Sequence, residues 1–170
     1  MNLSDVLETT KKEPHCGLCK IDFLGTGVCS AGKKHGFVVY WPEGRMELAR
    51  ALAEHEVEPT EGLRDIVESC NLCGVCDRQC YFVTQRRPTQ AQHALQDYLK
   101  KLPPHALKQI AEDDIVKDLR AIVGAEWATN DPIIIASYQR SVIKQKSSGK
   151  YYIVMPKTTE EIVAIVNLAN

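Results

Sequence analysis

The placement of the cysteines constrains this chain more than any other feature. All seven fall into two groups: Cys16, Cys19 and Cys29 near the start, and Cys70, Cys73, Cys76 and Cys80 in one short run. The run reads Cys70-Asn71-Leu72-Cys73-Gly74-Val75-Cys76-Asp77-Arg78-Gln79-Cys80, and its C-x2-C-x2-C-x3-C spacing is that of an iron–sulfur ligand set. Thiolates separated by two residues can wrap one cubane as the backbone turns around it. Where two clusters occur together, the fourth cysteine of such a run goes to the other cluster. The upstream trio marks where that other cluster is expected, and electron transfer is the chemistry to which the pattern points.

Charge and composition narrow the alternatives. Lys and Arg total 21 against 22 Asp and Glu, so no global field favours nucleic acid or an anionic membrane. No apolar run approaches the roughly 20 residues of a membrane span. The start, Met1-Asn2-Leu3-Ser4-Asp5-Val6-Leu7-Glu8, lacks an export signal's basic and apolar regions, so a cytoplasmic location is expected. An odd cysteine count in that setting argues against a disulfide framework. Zinc also uses C-x2-C pairs, but one tetrahedral ion takes four ligands and this run crowds too many thiolates for one ion. A zinc-stabilised interaction or nucleic-acid-binding module is therefore the alternative from a different class. Lys33-Lys34-His35 and Arg86-Arg87 read as solvated surface charge, and His55, His93 and His105 as histidines remote from the cysteines.

The expected architecture is mainly α. Residues 1 to 43 read as irregular, punctuated by glycines. A helix is expected from Gly44 through Glu54, with Met46, Ala49 and Ala53 on one side and Leu48 and Leu52 beside them. Thr60 is the expected N-cap of a short helix carrying Leu63, Ile66 and Val67 into Cys70. Pro88 opens another helix with Ala91, Ala94, Leu95, Tyr98, Leu99 and Leu102 on one face, stopped by Pro103-Pro104. A further helix is expected from about His105 to Val123, with Gly124 as its cap. Asn130-Asp131-Pro132 and Ser147-Ser148-Gly149 read as loops, Tyr151–Met155 as a strand, and Thr158-x-x-Glu161 as the capping box of a last, largely apolar helix. With one strand apparent and a sheet required, another polypeptide is expected to complete this tail.

Two resemblances sharpen these expectations. Residues 15 to 90 resemble the helical two-cluster ferredoxin domain of the iron–sulfur subunits of glycolate oxidase, succinate dehydrogenase and heterodisulfide reductase. The likeness rests on the two cysteine groups flanking Pro42-Glu43-Gly44-Arg45-Met46-Glu47-Leu48-Ala49-Arg50-Ala51-Leu52, similar to that family's proline-arginine-glycine-arginine helix start. It implies that Cys70, Cys73 and Cys76 pair with Cys29 around one [4Fe–4S] cluster, and that Cys16, Cys19 and Cys80 hold the other. The family's third upstream cysteine falls at Asp22 here, and the prolines after each fourth cysteine are replaced by Ser30 and Tyr81. Asp22 is then either a hard oxygen ligand completing a [4Fe–4S] cluster or absent from a [3Fe–4S] cluster, with His15 or His35 as other donors. Tyr40, Trp41, Tyr81 and Phe82 flank the ligand loops and are expected to shield the clusters from water.

The tail is similar to the opening of FAD-linked 2-hydroxy-acid dehydrogenases with the PCMH-type flavin fold. That likeness runs through Val123–Pro132, Tyr138-Gln139-Arg140-Ser141 and Tyr152–Asn170. The glycine-rich FAD stretch that follows in that family is missing, so the chain is expected to hold no complete catalytic site. The resulting division is residues 1–90 as the iron–sulfur domain, 91–129 as a helical packing segment and 130–170 as the start of an FAD-binding domain. The expected role is to pass electrons between an FAD-binding dehydrogenase subunit, acting on a lactate- or glycolate-type acid, and a further acceptor protein. A free-standing ferredoxin-like carrier is the nearest alternative.

Overall fold

Pro42 opens helix α3 (Pro42–Ala53) at a position where a missing N–H costs nothing. Every residue from Pro42 to Ala49 is buried, so α3 is the axis of the fold rather than a surface helix with one apolar stripe. Around it in the computed structural model pack α1 (Leu3–Lys11), α6 (Pro88–Lys101), α8 (Pro132–Ala136) and a 3-10 turn at Val38–Tyr40. Residues 1–139 and 149–170 are described; Arg140, Ser141, Ser147 and Ser148 of the expected tail features lie outside them. Gly44 allows the closest of these approaches. A Cβ there would sit 2.0 Å from the Val38 carbonyl oxygen and 2.6 Å from the Val39 Cα.

The rest of the mainly α architecture follows the sequence in part. Helix α4 (Gly62–Glu68) buries Leu63, Ile66 and Val67, and α6 buries Ala91, Ala94 and Leu95 in the same core, with Tyr98, Leu99 and Leu102 against it. The 90/91 division thus falls inside α6. Gly124 caps α7 (Asp114–Val123) at φ 95°, its N–H reaching the Arg120 carbonyl. Thr158 caps α9 (Thr159–Ala169), its hydroxyl accepting from Glu161 N–H at 3.2 Å.

Four expectations are corrected. Residues 1 to 43 are not irregular: α1 forms because Leu3, Val6 and Thr10 share a buried face and Asn2 and Asp5 cap each other reciprocally, and α2 spans Ser30–His35. The helix expected from His105 starts only at Asp114. Lys108 lends its N–H to the Pro59 carbonyl and its carbonyl to Glu61 N–H, holding 107–112 out of a helix until Asp113 caps Val116 at 3.1 Å. Thr60 does not cap α4, because its hydroxyl donates to the Asp131 carboxylate at 2.9 Å. The tail strand does find a partner in this chain: β2 (Ile153–Val154) runs antiparallel to β1 (Ala128–Thr129), pairing Ala128 with Val154. That ladder lies over a second, smaller core of Leu119, Val123 and Ala128, against which Trp127, Tyr152 and Ile165 pack.

Gly44→Ala is expected to destabilise the chain by at least about 3 kcal/mol, since the added methyl meets rigid backbone rather than a mobile side chain. Urea or thermal unfolding of the variant beside the parent measures this; equal midpoints would show that Val38 can recede.

Candidate metal centre

The cysteines line two recesses on either side of the start of α3. The first, about 460 Å3, is lined by Cys29, Cys70, Cys73 and Cys76 together with Arg45 and Gln92. The second, about 310 Å3, is lined by Cys16, Cys19 and Cys80 with Glu13, Glu43 and Met46. Cys80 is therefore separated from the rest of its own run, and Cys29 from its upstream partners. Helix α5 (Val75–Thr84) carries both Cys76 and Cys80, which share one face and stand one turn, about 6 Å, apart along its axis, so that each thiol meets a different recess. Irregular ligand loops are the expectation; Cys70 and Cys73 lie in one, whereas Cys19 sits in a 3-10 turn (Leu18–Lys20), Cys29 at the start of α2, and Cys76 and Cys80 on α5. Pro42 and Pro88, the first residues of α3 and α6, line both recesses and form the wall between them.

Local backbone shape serves the same end. Leu72 has φ 57° and Gly74 φ 77°, so the loop between Cys70 and Cys76 twice enters the left-handed region. Upstream, His15 at 49° and Gly17 at 70° flank Cys16 in the same way. A non-glycine residue costs about 1–2 kcal/mol there, and alternating hands turn main-chain N–H groups toward one concave side, the arrangement that cradles anions. Asp77 fixes the loop to the next helix by accepting from Thr89 N–H at 2.9 Å and from its hydroxyl.

Charged groups from α3 reach both sites. The Glu43 carboxylate accepts from Gly17 N–H at 3.2 Å and pairs with Lys20, and its main-chain N–H donates to the Cys19 sulfur. Arg45 points the other way: Nη1 lies 3.7 Å from Cys29 Sγ, and Nη2 donates to Ser69 Oγ at 2.8 Å and approaches the Ile66 carbonyl at 3.5 Å. Arg45 Nε and the Gln92 side-chain oxygen, both belonging to residues lining the first recess, are buried with no hydrogen-bond partner among the described residues. Reading the sequence missed Glu43, Arg45, Glu13 and Gln92 as site residues. The available signal was a Glu-Gly-Arg start on a helix bracketed by two cysteine groups.

Other expected site residues sit differently. Asp22 is exposed and its Oδ1 accepts from Thr26 N–H at 2.8 Å; it does not line the recess of Cys16, Cys19 and Cys80. His35 stacks on Tyr40, and His15 lies 3.5 Å from the Glu47 carboxylate. Tyr40 is buried, but Tyr81 and Phe82 are 43% and 69% exposed, which corrects their expected shielding role. The Phe82 ring lies 6.3 Å from that of Phe23, centroid to centroid, and Tyr81 carries the Arg87 guanidinium. Among the described residues no three His, Cys, Asp or Glu side chains close to single-ion distance, and no helix is long and apolar enough to cross a membrane. Compared with family models, curated proteins and solved structures, the chain matches none.

Burial pushes the Cys19 thiol from 9.0 up to about 12, against the lowering effect of the Glu43 N–H. Burial also raises Cys76, reinforced by Asp77 and by the neighbouring Cys29, Cys70 and Cys73, and it raises Cys80 despite the Thr84 hydroxyl. The metal-free fold thus holds protons that the unfolded chain releases. This contribution to stability is fully present below about pH 9 and lost as pH rises toward 12. Thermal unfolding of the metal-free, reduced chain is expected to give a falling midpoint from pH 8.5 to 10.5, with a smaller fall in Cys19→Ser. An identical fall in the variant would remove Cys19 as a source.

Proposed function

We propose that the chain is an iron–sulfur electron-transfer protein with two sites, one held by Cys29, Cys70, Cys73 and Cys76 and the other by Cys16, Cys19 and Cys80. The observation that carries the reading is the exchange of Cys80 and Cys29 between the two recesses. A single zinc ion has no use for that exchange, whereas two neighbouring clusters do. The fit is chemical as well as spatial: thiolates supply the soft donors, and Arg45 supplies an unspent buried donor. Bound clusters would each accept and release one electron at a time. The protein's own contribution is to fix the thiolates, exclude water through Tyr40, and aim charged groups at the sulfurs.

By this reading the upstream site has three thiolates. Asp22 would have to release Thr26 and swing inward to complete a [4Fe–4S] cluster there; three thiolates alone suit a [3Fe–4S] cluster. We further propose a helical two-cluster ferredoxin body whose electron donor is an FAD-binding 2-hydroxy-acid dehydrogenase subunit, with a separate acceptor protein. Support for a partner comes from α9, which packs through Ile165 yet leaves Ile162, Val163, Val166 and Leu168 40–54% exposed. The β1–β2 ladder favours the second reading, a free-standing carrier whose tail closes on its own body.

Anaerobic reconstitution is expected to yield a brown protein containing iron and acid-labile sulfide. Cys80→Ala and Cys19→Ala should then lose the same paramagnetic resonance signal, and Cys29→Ala and Cys73→Ala the other. Co-loss of one signal in Cys80→Ala and Cys73→Ala would defeat the exchanged pairing; a colourless zinc-loaded chain would defeat the cluster reading altogether.

A further inference from the structure

We infer that Arg45 holds the site of Cys29, Cys70, Cys73 and Cys76 at a higher reduction potential than the site of Cys16, Cys19 and Cys80, which makes it the place where a transferred electron rests. This inference depends on the iron–sulfur reading. Arg45 is 3% exposed, and its oxygen partners, Ser69 Oγ and the Ile66 carbonyl, are neutral. Among the described residues no carboxylate pairs with it, although other arginines of this chain are paired: Arg50 alone engages Glu47, Glu54 and Glu56. A guanidinium stays charged in any protein, and a buried, unpaired one is costly unless an anion compensates it. The anion within reach is the thiolate set beginning with Cys29 Sγ, 3.7 Å from Nη1. Nε of the same group has no partner among the described residues.

Reduction adds one negative charge to a thiolate-bound cluster, and a cation in a low-dielectric interior favours the more negative form. The first recess has one carboxylate near its thiolates, Asp77 Oδ1 at 3.9 Å from Cys76 Sγ, and Asp77 is already engaged by the Thr89 N–H and hydroxyl. The other recess is lined by two, Glu13 and Glu43, 5% and 6% exposed, and Lys20 beside it already pairs with Glu43. One electron entering at Cys16, Cys19 and Cys80 therefore moves to the Arg45 side, with no bond made or broken and no proton transferred.

Redox titration of the reconstituted full chain, followed by paramagnetic resonance, tests this order. Arg45→Gln is expected to shift the reduced-to-oxidised ratio of the Cys29 site at least tenfold toward oxidised at fixed potential, 59 mV for a one-electron couple, with a smaller shift at the other site. Arg45→Lys, which keeps the charge and loses the fork, should recover most of the shift; a merely structural role for Arg45 would leave the potential unmoved. The double variant Cys16→Ala/Cys19→Ala does not depend on how Arg45 variants fold: the single remaining step should coincide with the parent's higher one. Survival of the lower step, or an unmoved potential in Arg45→Gln, overturns the inference while leaving the cluster reading intact. A parent that takes up no iron and sulfide removes that reading itself.

Discussion

The fold depends on one helix being buried from its first residue, charges included. Glu43 and Arg45 stand two residues apart at the start of α3 and so leave the helix in different directions. One reaches Gly17, Lys20 and Cys19, the other Cys29, Ser69 and Ile66. The segments carrying the cysteines are thereby tied to a single rigid turn. Gly44, between the two, gives the space: its missing side chain lets the Val38–Tyr40 turn press onto the helix, which carries Tyr40 and its carbonyl down to Cys29.

This arrangement explains why buried charge is tolerated in a small core. Glu47 is satisfied by Arg50, Glu43 by Lys20 and a main-chain N–H, and Asp131 by Thr60 and Ile133. Arg45 stands apart because among the described residues no carboxylate answers it. Burying ionic groups is worthwhile mainly where each finds its counterpart, so an unmatched one is an argument about the site it faces.

Sequence reasoning located the elements whose evidence is periodic or chemical. Apolar spacing identified α3, α4 and α6, cap chemistry identified the ends at Gly124 and Thr158, and cysteine spacing, through the family likeness, anticipated both recesses. It failed where a decision depends on a distant partner. Thr60 looks like a cap until Asp131, 71 residues away, takes its hydroxyl. Residues 107–112 have helical spacing, but their backbone is used by Pro59 and Glu61. Ala128 and Thr129 carry no strand signal of their own and become one only opposite Ile153 and Val154. Arg45 and Glu43 enter the sequence reading only as part of a helix start, because burial on every side of a helix cannot be inferred from a pattern that includes charge.

The two proline rings at the starts of α3 and α6 bear on how such a protein is assembled. A partition made of Pro42 and Pro88 has fixed torsions and sits at the roots of the two best-packed helices, so it cannot yield to whatever occupies either side. Compliance is left to the outer lips, where Cys16 and Cys73 are already open to solvent. Access to either recess is therefore from outside, past its own exposed cysteine. The same geometry makes those two thiols the first that an oxidant meets.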